Sequence, residues 1–473
     1  MSIWKTKPLS SLLEEAAESE KGLKRTLSSR SLVFMGIGAI IGAGLFSLTG
    51  IAAADHAGPA VVLSFILAAV GCAFAGLCYA EFASMIPVAG SAYTYSYATM
   101  GEFVAWVIGW DLVLEYALGA ATVGVSWSSY LNALLDSYGL EIPHALSNSP
   151  SEGGIINLPA IGIIWVLSLL LIRGTKESAF INNFLVIIKL AVVFLFIFLG
   201  WKFINPEYHT PFIPKNTGVM GEFGISGIAA GAGLVFFAFI GFDAVSTAAQ
   251  EAKNPQKGMP IGILGSLVVC TVLYVLFSYV MTGLVPYQTF KGDASPAATA
   301  FKVTGYDFLQ TGMIVAILAG YTSVILVMLL GQSRVFYSMS KDGLLPGFFG
   351  DIHKKFRTPW KTNIFFMLFI SIFAGFVPIK SLGHMVSIGT LFAFSLVCLG
   401  VLIMRKTKPD ARRKFKVPLV PYIPIAGILV CVYLMTSLGK ESWERLIIWL
   451  IIGIIIYFFY SRKHSKLNKN NNL

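Results

Sequence analysis

The residues that could do chemistry in this chain are few, and they sit in apolar company. From Met35 to Phe46 the sequence reads MGIGAIIGAGLF, with Gly36, Gly38, Gly42 and Gly44 crowded into one hydrophobic run. Glycine inside a helix costs about 1 kcal/mol relative to alanine, so the cluster needs a reason. Close packing of helices through small residues is one. The other is an unwound stretch that leaves N–H groups free at the head of a second half-helix, where the dipole favours an anion. A carboxylate could be held there without any cationic side chain. From Phe236 to Thr247 the sequence reads FFAFIGFDAVST, in which Gly241 interrupts an aromatic run and Asp243 follows it. An aspartate in an apolar span must face protein or a cavity, and it could equally cap a second half-helix.

Two further ionisable residues stand out. Lys189 lies in NFLVIIKLAVVF, flanked by apolar residues on both sides and too deep for easy snorkelling. Burial disfavours the charged form of a lysine, so this side chain could bind and release a proton in each cycle. It could also be a fixed tether to carbonyls of neighbouring helices. Glu115, in WDLVLEYA, is the acidic residue best placed to accompany it, with Asp111 one turn earlier. Glu81 lies near the end of the second apolar run and reads as structural, as does Asp111.

These residues need elements to position them. Of the 473 residues, 56% are hydrophobic and only 12% charged, against about a quarter charged in soluble domains. A spanning helix needs roughly 20 mostly apolar residues. Such runs fall near 31–54, 59–86, 98–133, 155–173, 179–202, 225–250, 260–286, 309–339, 362–379, 383–404, 418–438 and 445–461. The chain is therefore expected to be an all-α polytopic membrane protein with about twelve spans, and no signal peptide is read in the polar first thirty residues. With the N-terminus inside, 27 of the 35 Lys and Arg lie on inner loops and tails and 7 on outer loops. That bias predicts both termini in the cytoplasm. It also assigns the net charge of +11 to topology rather than to nucleic acid. The basic loop Arg405–Lys416 is read as solvated and facing anionic lipid. The five cysteines all lie in apolar spans without a CxxC pair, so neither a metal nor any other cofactor is expected.

Interrupted helices at corresponding positions of two halves point to a transport site at the bilayer midplane. The first and sixth spans begin roughly 195 residues apart, which suits two inverted repeats of five spans and two additional helices. At this point the chain resembles a family, the amino acid–polyamine–organocation superfamily. The resemblance rests on GAIIGAGLF in the first span, on Tyr79-Ala80-Glu81 with PVAGSAYTY (Pro87–Tyr95), and on Glu251, Asn254, Pro255 and Pro260 after the sixth span. Gly90-Ser91, where many members have two glycines, looks like the bacterial relatives of cationic amino-acid transporters.

What the resemblance implies is a leucine-transporter-like fold with amino-acid substrates. The N–H groups of Gly42, Ala43 and Gly44, with Ile41 beside them, would bind the substrate carboxylate, and the carbonyls of Ile40, Phe237 and Ile240 would take its ammonium group. Phe237 would also shield the substrate as an aromatic gate, and Tyr321, Thr322 and Ser323 of the eighth span could line the site. Ala43 stands where many relatives carry Ser or Thr, which leaves the backbone as the main carboxylate ligand. Lys189, Glu115 and Asp243 are the expected proton-coupling residues, since proton-coupled relatives carry a lysine in the fifth span.

The expected organisation is a cytoplasmic segment 1–30 and a ten-span core 31–404, with repeats at 31–202 and 225–404. A basic loop 405–417, two additional spans within 418–461 and a cytoplasmic tail 462–473 follow. The expected function is secondary-active, proton-coupled uptake of small neutral amino acids across the cell membrane. A proton-independent exchanger and cationic amino-acid uptake are the alternatives, with a channel or sensor behind them. No phosphate-binding loop, HExxH or nucleophile elbow occurs, so an enzyme is not expected.

Overall fold

The computed structural model describes residues 3–8, 11–12, 27–86, 91–174, 179–247, 252–293 and 295–469. Among them the chain is helical with no strand, Leu27 and Ala252 forming an isolated bridge. Among the described residues seven helices are long and apolar enough to cross a membrane, and five shorter apolar helices accompany them.

The first span comes in two pieces. Helix α1 (Ser29–Ile40) starts at Ser28, whose side chain accepts from the N–H of Ser31 at 3.2 Å and so satisfies a donor that a helix start leaves orphaned. It stops at Ile41, whose ψ of 109° is extended. The helix resumes in wide π turns as α2 (residues 44–57). Next come α3 (Val61–Met85), the short α4 (Ser91–Thr99) and the long α5 (Glu102–Asp136). Helices α6 (Leu158–Arg173) and α7 (Ala179–Gly200) end the first five spans, α6 capped by Asn157 through the N–H of Ala160.

The sixth span is also broken. Helix α8 (Gly224–Val235) tightens into a three-ten turn at Phe236–Phe239, and helix geometry returns in α9 (Ala244–Thr247). Between them Gly241 takes φ +111°, open to glycine and hard for other residues. Helix α10 (Pro255–Leu284) begins with proline at its first position, where no N–H is missed. The remaining spans are α11 (Asp307–Lys341), α12 (Trp360–Phe376), α13 (Ile379–Thr407), α14 (Tyr422–Ser437) and α15 (Lys440–Ile456).

Helices α5 and α11 form the antiparallel centre. Gly109, Tyr116 and Gly119 of α5 meet Met339, Gly331 and Met328 of α11 in turn, so numbers rise on one helix as they fall on the other. The apolar window of α5 is 78% buried, against 22% for the span containing α15, which places that last span at the periphery.

The loop after α13 departs from expectation. Arg405–Lys416 was expected to be solvated throughout, yet Arg413 is buried and pairs with Glu81 at 3.2 Å. Arg405 grips the same carboxylate through two bonds of 2.9 and 2.7 Å, and the N–H of Val417 adds a third at 2.7 Å. Arg413 also donates to the carbonyls of Met404, Lys408, Pro409 and Ala411. The reason is the buried carboxylate of Glu81, which two cations and an amide compensate. Lys406, Arg412, Lys414 and Lys416 remain exposed.

Candidate functional site

The two breaks lie against each other. A Cβ on Gly44 would overlap the backbone of Ala238, so glycine here lets two main chains touch. The space a side chain would take at Gly44 is thus filled by the second break, and only the main-chain N–H of Gly44 is left to serve a ligand. A Cβ on Gly42 would meet nothing nearer than Val324 of α11, at 3.4 Å, with the Ile40 carbonyl at 4.0 Å. The Gly42 carbonyl already accepts from the N–H groups of Leu45 and Phe46, at 3.1 and 3.3 Å, and so starts the second half-helix. The N–H groups just ahead of that start are those a helix leaves without an internal carbonyl.

The carbonyls expected to receive an ammonium group are partly engaged. Tyr274 of α10 shares its hydroxyl between the carbonyls of Ile40 (3.0 Å) and Ala238 (2.8 Å), one from each break. The Phe237 carbonyl accepts from the N–H of Ile240 at 3.2 Å. A carbonyl has two lone pairs, so each can still accept from a ligand. Phe237 and Ile240 are both buried at the break. The sequence offered no signal for Tyr274, a single tyrosine in an ordinary apolar span.

Hydroxyls close the α2 side. Tyr321 meets Ser47 at 3.0 Å, and Tyr130 donates to the Phe46 carbonyl at 2.6 Å. Thr322 and Ser323 instead bond back to carbonyls of their own helix, at 2.9 and 2.8 Å, as such residues often do.

Lys189 is buried and donates to the Gly38 carbonyl at 2.7 Å. Its stem crosses Gly320 of α11, where a Cβ would sit 3.0 Å from Lys189 Cε. The side chain thus runs from the fifth span to the first and against the eighth. Glu115 belongs to another group. It faces Asp243, with Asp111 and the Thr390 hydroxyl nearby. Asp243 accepts from Tyr116 at 2.8 Å and from Ser91 at 3.2 Å. The groups around Lys189 and those around Glu115 are therefore distinct, and the structure does not bring the lysine and the glutamate together. Among the described residues no three His, Cys, Asp or Glu side chains converge as a metal site would require. Of the sequence motif, Pro87–Gly90 and Glu251 lie outside the described residues.

A bundle of apolar helices whose first and sixth spans break against each other defines a membrane transporter. Its family follows from comparison with known proteins: residues 27–458 match the amino acid permease family model, and the chain belongs to that family. It is 45% identical to the branched-chain amino acid permease BcaP of Bacillus subtilis (strain 168), covering 99% of each chain. It is 44% identical to the methylthioribose transporter of the same organism, over 99% of this chain and all of the relative. A vacuolar cationic amino acid transporter of Arabidopsis thaliana is 31% identical, over 94% of this chain and 93% of its own length. The function is that of a permease rather than an enzyme.

Proposed function

We propose that this permease carries small neutral amino acids into the cell by alternating access, driven by protons, with both chain ends cytoplasmic. The observation that carries the substrate class is the apposition of the two breaks beside an acid that is already occupied. N–H groups of Gly42, Ala43 and Gly44, alongside Ile41, would take a carboxylate, and the carbonyls of Ile40, Phe237 and Ile240 an ammonium group. A cationic side chain would want a free acid, but Asp243 is engaged by Tyr116 and Ser91. The division into a ten-span core at 31–404, a loop at 405–417 and two further spans within 418–461 belongs to the same proposal.

Lys189 is the proposed coupling group. Its ammonium reaches a carbonyl of α1 and lies against α11, so a change in its protonation would alter how the first and eighth spans hold together. Glu115 and Asp243 would exchange protons separately from it. Lys189→Ala is expected to abolish accumulation driven by an imposed pH gradient in proteoliposomes, while amino acids still raise the unfolding temperature because the backbone ligands remain. Undiminished gradient-driven accumulation would reduce the lysine to a tether. The substrate is settled by competition among alanine, branched-chain amino acids, arginine and methylthioribose. The last lacks both carboxylate and ammonium, so full competition by it alone would overturn the backbone assignment.

A further inference from the structure

The termini are woven into the same face of the molecule. Near the N-terminus, the Lys5 and Ile3 carbonyls accept from the N–H groups of Glu102 and Phe103, at 3.1 Å each, at the head of α5. The N–H of Lys7 donates to the Tyr97 carbonyl of α4 at 3.0 Å. Lys7 Nζ pairs with Asp342 just past α11, also at 3.0 Å, and that carboxylate accepts from Tyr93 of α4 at 2.7 Å. The C-terminal tail reaches the same place. Ser465 donates to Glu102, Lys466 N–H donates to the Asp342 carbonyl at 3.1 Å, and Lys5 Nζ bonds the Leu467 carbonyl at 2.6 Å.

Helix α4 is therefore held at both ends. Its tail is gripped by the termini, and its head, Ser91, bonds Asp243 in the second break at 3.2 Å. Ser91 keeps φ +47°, a conformation that a residue with a Cβ rarely adopts. Such strain persists only where surrounding contacts impose it. We propose that the two chain ends form a clasp that restrains α4, and through it the second break. The clasp must open each time the pathway opens toward the face that bears the termini. This goes beyond the transport proposal and does not depend on proton coupling.

The test uses a reporter on α9. Ser246→Cys places a thiol three residues past Asp243, at a position that is fully buried in this state. Its labelling rate with an impermeant maleimide is measured in inside-out vesicles, against the same protein without that cysteine. Lys7→Glu is expected to speed labelling by about two- to fivefold, the worth of one partly exposed ion pair. Lys7→Glu with Asp342→Lys is expected to return it part of the way, because the ion pair is restored while Tyr93 loses its carboxylate acceptor. A wild-type rate in the single variant, or no recovery in the double, overturns the clasp. Should Lys7→Glu not fold, Ser465→Ala replaces it, with faster labelling supporting the clasp and an unchanged rate overturning it. Because the readout is accessibility, its failure would leave the transport proposal standing.

Discussion

The two breaks are made differently. The first uses the absence of side chains: Ile41 is extended, Gly42 leaves the main chain bare, and Gly44 lets the second break close against it. The second uses a left-handed glycine, a tight turn and a carboxylate held by two hydroxyls from other helices. A bare main chain can be completed by a ligand, whereas a pinned turn is completed by the protein. In the proposed site the first break is thus the one a substrate would shape, and the second is the fixed wall against which it would do so.

Gly241→Ala should break that wall and give the largest effect. A Cβ there would sit 2.8 Å from the Ala39 carbonyl oxygen, on a backbone at φ +111°. Loss of monodisperse protein in size-exclusion chromatography is expected, and a well-folded, active Gly241→Ala would refute the contrast between the breaks. Gly44→Val should behave alike, since its Cβ meets the backbone of Ala238. Next comes Tyr274→Phe, which leaves the Ile40 and Ala238 carbonyls without their shared donor, at a cost of about 1–3 kcal/mol. Its unfolding temperature should fall, and saturating substrate should recover more of it than in the wild type, because an ammonium group replaces the lost donor. Equal ligand shifts in both proteins would separate the ammonium from those carbonyls. Gly42→Ala should be mildest for folding, its new methyl in ordinary contact with Val324. Uptake should drop severalfold with the unfolding temperature nearly unchanged; if the two fall together, the first break is no more adaptable than the second.

Much of this arrangement could be read from the chain. Apolar runs of spanning length located the helices, because lipid demands that backbone groups be satisfied within each span. Glycines 36–44 and the Gly241–Asp243 pair located the breaks, because both are costly in plain helices. What escaped depended on contacts between distant residues. Nothing near Gly44 says that Ala238 fills the space beside it, and nothing near Glu115 says that its neighbour is Asp243 rather than Lys189. Charge counting gave Arg413 to the solvent, because the carboxylate that buries it lies in the second span. Tyr274 carries no local mark at all.

The staple at Glu81 has a consequence for how the chain is made. Its partner Arg405 follows 324 residues later in the sequence, a delay on the order of half a minute at ribosomal speeds of about 10 residues per second. Through that interval α3 carries a carboxylate whose cations do not yet exist, while eight further spans are made. Arrival of the basic loop is the event that matches the acid, so the end of α3 is completed only after the tenth span has been made.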